Sequence, residues 1–223
     1  MKNLYLTLLM LVFSITAFGQ YYYMGDVKAF SHDPLNKDDE YPVGGGLTTG
    51  WTTIHNGGSS ATWSSTQTIP FSFDFNGNAE TQYKVSNSGV LTFDVGASAV
   101  PGFTPVSIPS ASLPDKSIAI HGLKSVGSND YIVTKTFGTS PNRQHWVFFS
   151  SYNYHSGSTN CWTYWSIVLE EGTNHIYIVD QRHNTAECTP SVSIGVQVDD
   201  NTGVSAPGSP SVSAQAGTDP SAA

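Results

Sequence analysis

The chain has 223 residues, which is enough for one β-sandwich domain with flanking segments. Its formal net charge is −8, from 9 Lys+Arg against 17 Asp+Glu, and the absence of any Lys/Arg cluster argues against a nucleic-acid partner. Charged residues make up only 12% of the chain, while Ser, Thr, Gly and Asn are abundant, which favours β-strands joined by turns over long surface helices.

The first 19 residues are predicted to be a secretory signal peptide. Lys2 precedes an apolar stretch from Leu4 to Ile15, and small or permissive residues follow. This stretch is too short to cross about 30 Å of hydrocarbon comfortably. We therefore expect cleavage near Gly19–Gln20, a secreted or cell-surface location, and no membrane insertion after cleavage.

Residues 20–48 are predicted to form an irregular arm that leads into the domain. Asp-Pro, Tyr-Pro and Gly-Gly-Gly steps interrupt any periodicity, although an edge strand is expected near Tyr21–Val27. Asp33, Asp38 and Asp39 form an acidic group whose oxygens could bind calcium, without the pattern of an EF-hand loop. Calcium is the one cofactor considered, and no other metal is predicted.

Residues 49–199 carry the strand signals of a single domain. TIPFSFDFNG (68–77) places Ile69 and three phenylalanines on one parity, as expected of a half-buried strand. YKVSNSGVLTFD (83–94) alternates on both sides of a turn at Asn87-Ser88-Gly89. Further strand-like runs lie at 117–123, 130–137, 143–154, 161–171, 174–181 and 192–198. The predicted fold is all-β: a two-sheet antiparallel β-sandwich, jelly-roll-like, with about nine strands.

Two segments have no strand pattern. Residues 96–116 form a long Pro/Ser/Ala-rich loop, and loops of this length are usually functional or mobile. Residues 200–223 are rich in Ser, Ala, Gly and Pro and are predicted to be a flexible linker or tail, because they have little apolar surface to bury. Such a linker suggests that the chain is part of a larger secreted protein.

The two cysteines, Cys161 and Cys188, are predicted to form a disulfide in an oxidising compartment. A hairpin turning at 171–174 brings Cys161 opposite a position near Asn184, so the bridge is reachable if residues 182–188 curl back. The closed loop of roughly 27 residues would be worth about 3 kcal/mol in the chain-entropy model. Two cysteines without CxxC spacing do not make a zinc site.

The sequence contains no recognisable catalytic motif, and we predict that the protein is not an enzyme. The seven histidines form no H-E-x-x-H, and no G-x-S-x-G elbow is present. His145 and His175 are expected to be ordinary strand histidines, packed or facing solvent. Glu170 and Glu171 are expected to be solvated at a hairpin tip, not placed across a cleft as in a glycosidase. A Ser-His-Asp triad assembled by the fold stays open, because it needs no sequence signature.

Aromatic residues are the strongest candidates for binding. The candidate rings lie in adjoining predicted strands and are Trp146, Tyr152, Tyr154, Trp162 and Tyr164. On the strand 161–170, Trp162 and Tyr164 share one face and Trp165 lies on the other. One set is then core, while the other either lies under a long loop such as 96–116 or lines an exposed groove for a sugar or an apolar peptide surface.

The motifs TIPFSFDFNGN, YKVSNSGVLTFD, HWVFFSSYNY and YWSIVLEEGTNHIYIVD, in this order, resemble nidogen-like β-sandwich domains over residues 68–198. One departure is Ser88, which stands where an Asn-Gly step is usual. The chain is also similar to sandwich modules of large surface proteins that Bacteroidota export, commonly through the type IX system. The resemblance implies the architecture more than the function.

Three functions remain open on the sequence. The first is a non-catalytic extracellular module for cell-surface adhesion or for binding a glycan or protein ligand. The second is a carbohydrate-active enzyme or its accessory binding module. The third is a structural spacer. An exposed aromatic face would favour binding, whereas converging acids or a nucleophile in a cleft would favour an enzyme.

Overall fold

The computed structural model of the chain describes residues 21–24, 50–126, 129–156, 161–183 and 191–210. These residues form thirteen β-strands and no helix. The strands are β1 Tyr21–Met24, β2 Thr52–His55, β3 Gln67–Phe75, β4 Asn78–Ser86, β5 Val90–Thr92, β6 Ser117–His121, β7 Leu123–Lys124, β8 Tyr131–Phe137, β9 Gln144–Tyr154, β10 Trp162–Glu170, β11 Ile176–His183, β12 Ser193–Asp199 and β13 Thr202–Ser205. The residues in these ranges contain no helix that could cross a membrane.

The strands form two sheets that pack face to face. The larger sheet has the order β1-β11-β10-β9-β8-β2, with β7 paired to β9, and the smaller has the order β13-β12-β6-β5-β4-β3. Pairing is antiparallel except between β1 and β11, which run parallel. The predicted two-sheet sandwich is confirmed. The strands beyond the predicted nine include β7 and β13, which are too short to display an alternating pattern.

The main core lies between the two sheets. β3 contributes four buried side chains on one parity, Ile69, Phe71, Phe73 and Phe75, as the alternation predicts. β10 contributes Trp165, Ile167 and Leu169 from the facing sheet. Full burial of side chains of this size stabilises the fold by about 1.5–3 kcal/mol each.

Both sheets also bury apolar residues on their outer faces. On the larger sheet, an outer cluster contains Trp51, Val133, Trp146, Phe148, Val168, Tyr177 and Val179. On the smaller sheet, the loop 96–116 supplies Ile108 and Leu113, which pack on Val90 and Ala119. The loop is held there by Gln197, whose side-chain amide donates to the carbonyl oxygens of Ser110 and Leu113 at 3.1 Å. The long loop is therefore a cover for the smaller sheet.

The turn between β4 and β5 has a structural role. Gly89 has a φ of 88°, and a Cβ there would collide with the backbone carbonyl of Ile120. The fully buried Asn87 accepts a hydrogen bond from the Thr62 amide at 2.8 Å. Its side-chain nitrogen donates to the carbonyl oxygens of Gly58 and Ser60 at 3.2 and 2.9 Å. Asn87 thus fastens the preceding loop to the sandwich.

At the N-terminal end, β1 confirms the predicted edge strand near Tyr21–Val27. The predicted signal peptide, the rest of the arm and the calcium candidates Asp33, Asp38 and Asp39 lie outside the described residues.

The C-terminal strand β13 lies within residues 200–223, the segment assigned to the tail on composition. It pairs with β12, and the Ala206 amide that follows donates to the Ile194 carbonyl at 2.8 Å. Backbone pairing needs no large side chains, so a Ser/Gly-rich composition does not signal such a strand. Residues 211–223 lie outside the described part of the chain.

One of the two cysteines can be located. Cys161 is 1% exposed, lies directly before β10 within the main core, and is not a free thiol. Its predicted partner, Cys188, lies outside the described residues. The pairing of the two therefore stays a prediction.

Candidate functional site

Two of the five predicted binding rings point into the core. Tyr152 and Tyr154 are 0% and 1% exposed and belong to the main core with Phe149. The cause is an irregularity in β9, where Ser151 adopts a φ of 64° and the pairing with β10 shifts register. A bulge of this kind reverses which parity faces inward, so Tyr152 and Tyr154 face the main core although Trp146 and Phe148, on the same parity, belong to the outer cluster.

The other three rings lie on the outer face of the larger sheet. Trp146 is 3% exposed, so it packs within the outer cluster and is not accessible to a ligand. Tyr164 is partly buried and stacks on Phe148, with ring centroids 6.0 Å apart. Trp162, also partly exposed, meets Tyr164 edge-on at 5.7 Å. Of the predicted set, Trp162 and Tyr164 remain as an accessible pair, and the loop 96–116 covers the opposite sheet instead.

A groove that the sequence did not indicate opens at one end of the sandwich. It has a volume of about 340 Å³ and is called the edge groove below. Its lining comes from the end of β3, the start of β11 and the β12–β13 hairpin: Asp74, Phe75, Asn76, Asn174, Ile176, Val196, Val198, Thr202, Gly203 and Val204. Phe75 and Ile176 belong to the main core, so the edge groove is an opening between the two sheets.

A hydrogen bond ties the two sheets together beside the edge groove. Asn174 turns the β10–β11 hairpin with a φ of 57°, and its side-chain oxygen accepts a hydrogen bond from the Asp74 amide at 2.9 Å. This bond ties the larger sheet to the end of β3. The β12–β13 hairpin forms the opposite wall, where Val204 is 62% exposed.

The described lining of the edge groove carries negative charge and no positive charge. Asp74 is the charged residue among its described lining, which is otherwise apolar or neutral. Nearby in the β12–β13 turn, hydrogen bonds from the Asn201 amide and the Thr202 hydroxyl lower the pKa of Asp199. The rim is therefore negatively charged at neutral pH, in keeping with the net charge of −8.

Outside the edge groove, the buried His145 has structural partners. His145 lies between the sheets, 2.8 Å from the Tyr83 hydroxyl and 2.9 Å from that of Thr136, and burial lowers its pKa to about 4. It is a packed strand histidine, as predicted. Among the residues that the structure describes, no group of three or more His, Cys, Asp or Glu side chains could bind a metal ion.

The two glutamates of the β10–β11 hairpin are paired, and the expectation that they are solvated is wrong. Two nitrogens of the Arg143 guanidinium donate to the Glu171 carboxylate at 2.7 and 2.8 Å. These bonds lower the pKa of Glu171 to about 2. Glu170 accepts hydrogen bonds from Thr173 at 2.6 Å and from Gln144 at 3.2 Å. Both carboxylates stabilise the hairpin.

Comparison with known proteins identifies the family. The family model described as "NIDO related" matches residues 45–222. No curated protein and no solved structure matches the chain. NIDO domains are extracellular, non-catalytic modules. Because the match covers well over half of its length, this chain belongs to the NIDO-related family.

Proposed function

We propose that this protein is a non-catalytic extracellular module, exported by its predicted leader, that binds a ligand through the edge groove. The observation that carries the proposal is the edge groove itself. Its volume of about 340 Å³ falls within the range of ligand sites, and its walls are mainly apolar. Family membership supports the extracellular, non-catalytic role. The resemblance to multidomain surface proteins supports a place in a larger secreted protein with an adhesive role.

The exposed wall of the edge groove supports binding energetically. Val204 is 62% exposed, and apolar surface left in water forgoes about 25 cal/mol per Å² of burial. A ligand that covers Val204 and reaches towards Phe75 would recover this free energy. The strands that contribute to the walls are paired within the two sheets.

A second candidate function is glycan binding by Trp162 and Tyr164. The edge-on pair stays partly exposed on the outer face of the larger sheet, and aromatic rings stack on the apolar faces of sugars. This reading fits an accessory module of a carbohydrate-active protein as well as an adhesin.

The proposal is tested by probing the purified domain with a glycan array and with a random peptide library displayed on phage. Each hit is then measured against Val204→Glu, which places a charge in the edge groove, and against Trp162→Ala. Val126→Glu is the matched control, because Val126 is 46% exposed and does not line the groove.

Three outcomes separate the readings. Binding that falls at least tenfold in Val204→Glu and is unchanged in Val126→Glu supports the edge groove. Loss in Trp162→Ala alone supports the glycan site and contradicts the groove. No binding above background on either platform would overturn the proposal and leave the structural-spacer role.

A further inference from the structure

The edge groove is bordered by the open edge of the smaller sheet. β13 is the outermost strand of that sheet, and no other described strand pairs with its far side. Three of its four residues are exposed, and none of them is charged or a proline. The opposite edge strand, β3, carries Pro70 and Asp74, which are devices that discourage further pairing. The edge of β13 lacks such protection within the strand.

The orientation of the β13 side chains places the inner face of an added strand towards the edge groove. Val204 pairs directly with Val196 of β12, and paired residues in antiparallel strands share a face. Val196 packs against the main core, so Val204 also faces the inner side of the sheet. It is nevertheless 62% exposed and lines the edge groove. An added strand would place alternate side chains on this same inner side, above the edge groove.

The charge of Asp74 discriminates among the peptides that could fit the edge groove. Asp74 lines the edge groove and has no side-chain partner among the described residues, and no Lys or Arg is present in the described lining. A cationic side chain is therefore complementary to this rim, and an acidic one is repelled. The short length of β13, four residues, limits the pairing to a few backbone hydrogen bonds, so the side chains must supply much of the specificity.

We infer that β13 and the edge groove together bind an extended peptide segment of a partner protein. The segment adds as a strand to the free edge of β13, inserts an apolar side chain between the sheets, and places a Lys or Arg beside Asp74. This inference rests on the proposed function and specifies its ligand.

The test uses a fluorescently labelled synthetic peptide in which Thr alternates with Val and Lys, so that the apolar and cationic side chains share one face. Two further versions carry backbone N-methyl groups, one on the Thr amides and the other on the Val and Lys amides. In an added strand, one set of amides faces β13 and the other faces solvent. Fluorescence anisotropy with the full exported chain should therefore show a loss of about tenfold or more for one methylated version, with the other little changed.

Two protein variants test the charge and the groove. Asp74→Asn should weaken binding of the Lys peptide about fivefold and leave a version with Gln in place of Lys unchanged. Asp115→Asn is the matched control, since Asp115 is an exposed aspartate outside the groove lining. Val204→Glu should abolish the fluorescence increase of Nile red, an uncharged apolar dye, if the dye enters the groove.

The outcomes distinguish this inference from the proposed function. Equal affinity of both methylated peptides, or no peptide binding at all, overturns strand addition. If Nile red still binds in a Val204-dependent way, the groove remains a ligand site and the proposed function survives. If neither the dye nor any peptide binds, both fall. An unchanged affinity in Asp74→Asn refutes the charge selection.

Discussion

The buried histidine between the sheets should make stability fall sharply in mild acid, and His145→Gln tests this. His145 is 5% exposed, and its two ring nitrogens lie within hydrogen-bond distance of the hydroxyls of Tyr83 and Thr136. Burial disfavours the charged imidazolium and lowers its pKa from 6.5 to about 4. A glutamine side chain has polar atoms that can hydrogen-bond to both hydroxyls, but it does not titrate.

The magnitude follows from the difference between the folded and unfolded pKa values. A histidine with a lowered folded pKa binds its proton more readily in the unfolded chain, so acid favours unfolding. Its contribution to the free energy of unfolding is complete above about pH 6.5 and is lost as the pH falls towards 4. At 1.36 kcal/mol per pKa unit, the loss by pH 4 is about 3 kcal/mol.

The assay is urea unfolding of the wild type and His145→Gln at pH 7, 5.5 and 4. The free energy of unfolding of the wild type should fall by about 3 kcal/mol more than that of the variant across this range. Other titrating groups are common to both proteins and cancel in the comparison. Parallel pH profiles would refute the reasoning, because they would mean that His145 is protonated as easily in the folded protein as in the unfolded chain.

Three further substitutions probe the turns and the hairpin. Asn87→Ala removes three hydrogen bonds to the preceding loop and should lower the free energy of unfolding by about 3 kcal/mol, whereas the exposed Asn78→Ala should change it by less than about 0.5 kcal/mol; similar urea midpoints would contradict this. Gly89→Ala should cost at least about 2 kcal/mol in the same assay, because φ is 88° and a Cβ has no room; a neutral effect would show that the turn relaxes. Arg143→Gln should raise the pKa of Glu171 from about 2 towards its usual value, as measured by carboxyl NMR titration, and an unmoved pKa would show that the pair is not its cause.

The alternation of apolar and polar residues predicted the sheets, because every second side chain of a strand lies on the same face and is buried there. In β3 the apolar parity predicted the inner face, and Ile69, Phe71, Phe73 and Phe75 are buried there. The turn at Gly89 was predicted for a similarly local reason, since only certain residues tolerate its backbone angles. Such signals lie in the residues themselves, and they sufficed for the two-sheet sandwich.

The binding face could not be predicted in the same way. The positive φ at Ser151 reverses the faces of β9, which sends Tyr152 and Tyr154 into the core. Trp162 and Tyr164 of β10 stay partly exposed. The sequence does not predict this bulge, because a serine gives no indication that its φ will be positive. The outcome depends on the register that β9 adopts against β10.

By itself, the sequence determined an all-β sandwich and the buried parity of its principal strands, because hydrophobic alternation and turn chemistry are properties of neighbouring residues. Only the tertiary structure decided that Asp74, Asn174 and Val204 border one groove. These residues come from three separated segments, and the place where two twisted sheets fail to cover each other depends on how both are packed, not on any local pattern.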